Sequence, residues 1–146
     1  MGGIVVCDGK EYPQFGNFYP CEFVMAEYNR DMSLPNGSDD ALIGETWNST
    51  EQYYQAMKSD DIYYRTKMKK ETDGLECWKM GQKVRIRDDW DEIKVDLMYK
   101  ANYAKFKQNK KLRDVLTSTK GEIFPYSTQY WTPINKWILE SLRDYF

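Results

Sequence analysis

From Trp90 to Gln108, apolar side chains return at three- and four-residue steps: Trp90, Ile93, Leu97, Ala101 and Ala104. That period predicts one long helix with a single buried stripe. Asp89 with Glu92 gives it a capping pair. The same signature stands at Ser49 with Gln52, ahead of a helix from Thr50. It stands again at Asp73 with Glu76, ahead of LECWKMGQK at 75–83. Residues 59–70, SDDIYYRTKMKK, read as a helical stretch that is acidic first and basic last, as the helix dipole prefers. KLRDVLTS at 111–118 reads as a short helix. Thr132-Pro133 opens the last helix, with Thr as N-cap and Pro in the first turn.

Alternation by two is confined to the N-terminal side. GIVVC at 3–7 reads as a strand closed by the turn Asp8-Gly9, and CEFVM at 21–25 as a weaker second strand. FGNFYP at 15–20 is loop-like. LPNGSDDALIGE at 34–45 is an irregular excursion punctuated by Pro35, Asn36 and Gly37. No repeat and no linker divides the chain. The expected class is α+β: a predominantly helical single domain over 1–146 with a small N-terminal β-sheet.

Composition narrows the chemistry. A chain of 146 residues that is 41% hydrophobic suits one core. Twelve Tyr and five Trp carry polar tips that need partners, or rings that can stack on a ligand. The net charge is -2, so no global basic field draws the protein to nucleic acid. No apolar run approaches a membrane span, and MGGIVVCDGKE lacks a signal-peptide pattern. Val6 stands where a myristoylation motif wants Ser or Thr. Cys7, Cys21 and Cys77 form no Cys-x-x-Cys pair, which points to the cytoplasm or another reducing intracellular compartment. With no histidine, a metal site is not expected. Catalysis then falls to Asp, Glu, Lys, Tyr, Cys or a cofactor.

The densest candidate is WNSTEQYYQAMKS at 47–59. On a helix, Glu51, Gln55 and Lys58 stand at i, i+4 and i+7 and share one face, while Tyr54 and Met57 lean to the core side. The plain alternative is a solvated polar face. Arg85 and Arg87 precede a helix start, where arginines can hold a phosphate or simply be solvated. KFKQNKK at 105–111 places four lysines at a helix end. Dipole placement explains them, and a nucleic-acid backbone contact is the sharper reading. Tyr130-Trp131 with Asn135 in the first turn of the last helix is either core or a sandwich for a base.

FGNFYPCEF, WNSTEQYYQAMK, MGQKVRIRDDW, LMYKANYAKFKQNKKLRDVL and a final Trp131 and Asn135 occur in the order of the NADAR/YbiA-like family. The chain resembles that family from about Phe15 to Arg143. The resemblance implies a metal-independent, cofactor-free hydrolase of N-glycosidic bonds. Its partner would be ADP-ribosylated nucleic acid, cleaved at guanine, or a small ribosylated nucleotide such as a ribosylamine phosphate of riboflavin biosynthesis. It implies substrate contacts at Asn17, Phe18, Gln55, Arg87, Trp90, Trp131 and Asn135, with Glu51 and Lys58 on the polar helix face. Lys58 then serves as an amine nucleophile with Glu51 as proton shuttle, or Glu51 acts directly on water.

Three positions depart from the family pattern. Thr128 stands where an acid is usual, Thr132-Pro133-Ile134 replaces a Gly-rich loop, and Gly16 stands for Ser. The lost acid motivates the alternative of a module that binds ADP-ribose or a nucleotide without cleaving it.

Overall fold

Ser49 starts the first helix as its spacing predicts, its Oγ accepting the Gln52 amide at 3.0 Å. The computed structural model describes residues 3–25 and 44–146. Six helices account for most of them: α1 Thr50–Ala56, α2 Ile62–Lys70, α3 Gly74–Gly81, α4 Trp90–Gln108, α5 Lys110–Ser118 and α6 Trp131–Tyr145. Asp61 and Asp73 cap α2 and α3, each carboxylate accepting two first-turn amides.

Among the described residues, five short strands complete the α+β fold. Strands β1 Val5–Cys7, β2 Lys10–Glu11 and β5 Phe124–Pro125 form one antiparallel sheet in the order β2-β1-β5. Strands β3 Phe23–Met25 and β4 Glu45–Trp47 form a second. The expected N-terminal sheet is thus closed from the far end of the chain, Val5 pairing with Pro125. Strand β4 begins in the last residue of the expected irregular excursion. The rest of that excursion lies outside the described residues, Gly44 excepted.

Two expected caps are corrected. Thr132 is inside α6, which begins one residue earlier at Trp131. Thr128 does the capping instead, its Oγ1 accepting the Trp131 amide at 3.1 Å. Pro133 still falls in the first turn, where its missing N–H costs nothing. Asn135 accordingly sits at the start of the second turn. At α4 the Asp89 carboxylate caps nothing. It chelates the Arg87 guanidinium at 2.6 and 3.1 Å, a charged pair that outcompetes an amide.

The core joins the sheets to the helices through Phe15, Phe23, Trp47, Met68, Met98, Phe106, Leu116, Ile123, Ile138 and Leu142, all essentially fully buried. Gln52 ties α1 to the end of α2: its Nε2 reaches the carbonyls of Met68, Lys69 and Glu71 at 3.1, 3.2 and 2.8 Å. The lysine-rich end of α4 is not one patch. Lys105 turns inward and is fully buried, donating to the Gly16 carbonyl at 2.9 Å. No helix among the described residues is long and apolar enough to cross a membrane.

Candidate active site

Every residue of α1 is buried, so its polar face is not a solvated one. α3, α4 and α2 all pack on this helix. Glu51 is 0% exposed, Gln55 1% and Lys58 7%. The helix ends at Ala56, and Lys58 lies just past it in the turn. Its carbonyl accepts the Arg87 amide at 2.8 Å, which pins that turn to the segment ahead of α4.

Glu51 and Gln55 meet one helical turn apart. Gln55 Nε2 donates to Glu51 Oε1 at 2.6 Å. Glu51 Oε2 and Gln55 Oε1 are buried and have no hydrogen-bond partner. Such orphaned acceptors cost stability unless a ligand or water meets them. Burial pushes the Glu51 carboxyl up to about 7, against the opposing pull of Gln55 and Lys58. Burial likewise pushes the Lys58 ammonium down, with Glu51 opposing and Lys94 adding to the fall. Lys58 Nζ makes one long contact, 3.4 Å to the Gly81 carbonyl.

Tyr54 is buried in the core, as expected, and is also the hub of the site. As i+3 from Glu51 it shares that residue's stripe. Its ring centroid lies 4.8 Å from Trp90 and 5.4 Å from Trp131, and Lys58 Nζ is 5.9 Å from it. Tyr130 stands against Trp131 at 5.3 Å, with Lys94 Nζ 4.7 Å from its ring. Glu51, Lys58, Trp90 and Trp131 thus converge around one tyrosine.

The remaining expected residues divide. Asn17 and Asn135 join the site from below. The Asn17 carbonyl accepts the Glu51 amide at 3.0 Å and the Thr50 hydroxyl at 3.1 Å. Its side chain accepts from Thr50 Oγ1 at 2.9 Å and from Asn102 Nδ2 at 3.2 Å, and donates to Asn135 Oδ1 at 3.5 Å. Asn17, Asn102 and Asn135 all line a cavity of about 10 Å³, room for one water. Phe18 is half-buried and packs instead against Gly74 at the start of α3. The Arg87 guanidinium is engaged by Asp89 and, at 3.5 Å, by the mostly exposed Asp60.

Four contributors escaped sequence reading. Tyr54 was legible as the i+3 neighbour of Glu51. Asn102 and Lys105 sit at helical steps along the buried stripe of α4, and a polar residue at such a position was the available signal. Gly81 had none. A Cβ there would sit 1.8 Å from Gln55 Oε1. Gly81→Ala is therefore expected to displace Gln55 from Glu51 and to lower kcat/KM by roughly tenfold. Stability should change little, because alanine's better helix propensity offsets the crowding. Kinetics beside thermal melting check both.

Comparison with known proteins places this geometry in context. The family model described as the NADAR domain matches residues 7–130, which stops just short of Trp131 and Asn135. N-glycosidase YbiA of Escherichia coli is 30% identical over 105 residues, 70% of this chain and 63% of that protein. The chain thus spans under two-thirds of that relative's length. Riboflavin biosynthesis protein VVA0006 of Vibrio vulnificus is also 30% identical over 105 residues, 70% of this chain and 24% of that one. The NMR structure of E. coli YbiA shares the fold, with a TM-score of 0.72 at 23% identity over 93% of this chain and 79% of that one.

Proposed function

The chain belongs to the NADAR domain family, and from that membership we propose that its buried Glu51–Lys58 cluster hydrolyses an N-glycosidic bond of a ribosylated nucleotide. One observation carries the reading. A carboxylate and an amine that feel each other's charge are both buried, one pushed up and the other down in pKa, around a tyrosine that packs on two tryptophans. A structural ion pair has no use for an unpartnered carboxylate oxygen. A site for proton transfer does.

The chemistry follows from these groups. A ribose bonded to an amine opens to an imine at C1. Neutral Lys58 attacks that carbon, and the C1–N bond to the leaving amine breaks as Glu51 hands it a proton. Water, deprotonated by Glu51, then adds to the lysine imine and releases the sugar aldehyde. Trp90, Trp131 and Tyr54 supply flat faces for the leaving base. A phosphate can reach Arg87 by displacing the exposed Asp60. The substrates proposed are ADP-ribose on guanine in nucleic acid and ribosylamine phosphates. The N-glycosidase YbiA and riboflavin-biosynthesis relatives support the N-glycosidase reading.

Incubation with ADP-ribosylated guanine DNA and with a ribosylaminopyrimidine phosphate, followed by mass spectrometry, tests this. Release of the free base or amine is expected from at least one. A second reading, binding without cleavage, rests on Thr128, whose hydroxyl is spent on capping α6 and offers no carboxylate. Tight binding of ADP-ribose with no release from either substrate would favour it.

A further inference from the structure

Three residues within about one turn of α4 hold the loop that runs ahead of β3. Asn102 Nδ2 donates to Asn17 Oδ1 at 3.2 Å, and Lys105 Nζ donates to the Gly16 carbonyl at 2.9 Å. The Phe106 ring meets Phe15 edge-on at 5.9 Å. The two segments run in opposite senses, residues 102, 105 and 106 against 17, 16 and 15. Positions i, i+3 and i+4 share one helix face, so the three contacts form one seam. The other side of the loop holds α1. The Asn17 carbonyl, next along from the one that Lys105 grips, accepts the Glu51 amide at 3.0 Å. That amide is one of the first-turn donors that a helix cannot satisfy by itself.

Two of these contacts are neutral and ordinary for a core. The third is not. Lys105 is 0% exposed. Among the described residues no carboxylate pairs with its ammonium. The groups that face it are the Cys21 thiol and the rings of Tyr19, at 5.8 Å, and Phe106, at 5.3 Å. The rings return part of the lost hydration. Burial still pushes the Lys105 pKa down to about 8, with Cys21 opposing. A methionine would fill the same space without burying a charge. The Gly16 carbonyl would keep the Tyr19 amide, at 3.3 Å. Packing therefore does not account for a lysine here. What the charge adds is a strong grip on Gly16.

We propose that Lys105 is a positioning residue of the hydrolase: by clamping Gly16 to α4 it sets where Asn17 receives the first turn of α1, and so where the Glu51 carboxylate stands. It acts through Gly16 and Asn17 and takes no part in the chemistry itself. Its effect on rate rests on the proposed hydrolase reading, while the clamp is measurable without a substrate.

Lys105→Met separates positioning from stability. With whichever N-ribosyl substrate the parent cleaves, kcat is expected to fall at least about tenfold while KM stays within about twofold, because Trp90 and Trp131 stand on α4 and α6. The melting temperature should be no lower than the parent's, since a buried charge has gone. Exchange of the Glu51 amide with solvent deuterium, followed by NMR, should quicken at least about tenfold, while amides in the middle of α6 keep their rates. Parental kcat with parental Glu51 exchange overturns the clamp. So does a drop in melting temperature large enough to explain the slower rate. If the parent cleaves no N-ribosyl substrate, the hydrolase reading falls, and the exchange rates alone decide the clamp.

Discussion

Glu51→Gln is expected to lose at least about a hundredfold in kcat while gaining stability, because the group that moves the proton is also a buried liability. The fall in rate follows from shape kept and charge removed. The gain in stability follows from linkage. An ordinary carboxyl near 4.5 is raised to about 7 in the folded protein. Between those values the folded state keeps a proton that the unfolded chain has released. Stability contributed by the protonated form is therefore present at low pH and lost as pH rises toward 7. The full deficit, about 3 kcal/mol, applies above pH 7. The variant should melt higher than the parent at pH 8, and the gap should close toward pH 4. Near-parental turnover would remove Glu51 from the chemistry. Parental melting at both pH values would deny the buried charge its cost.

Lys58→Arg is expected to abolish turnover through the covalent route. Arginine keeps the charge but stays protonated, so it cannot attack as an amine. Burial lowers the Lys58 pKa. The parental rate should therefore rise with pH through that lowered value, as the neutral amine appears. Borohydride added during turnover should trap a sugar phosphate on Lys58, and the adduct should vanish in the variant. Full activity in Lys58→Arg would reject the amine nucleophile and leave Glu51 to activate water directly.

The helices were legible where a period or a cap is written locally. The stripe of α4 and the caps at Ser49 and Asp73 are local signals, and the structure uses them. Strands β4 and β5 were not legible. At three and two residues they are too short for a period, and they exist only because a distant partner pairs with them. The site divides the same way. The face shared by Glu51 and Gln55 follows from spacing within one helix. The contact of Tyr54 with Trp90 and Trp131 depends on how α4 and α6 pack, and no local pattern encodes that. The engagement of Arg87 by Asp89 was hidden because the aspartate reads equally well as a helix cap.

The pairing of Val5 with Pro125 sets an order of events during synthesis. Helices α1 to α4 can form from neighbouring residues as the chain emerges. The first sheet cannot close until its third strand, Phe124–Pro125, has been made. Asn17 likewise waits for Asn102 and then Asn135, and the Gly16 carbonyl waits for Lys105. The loop that supports Glu51 is thus among the last parts to lock. A nascent chain carries its reactive helix early but completes the site around it only once Asn135 has been made.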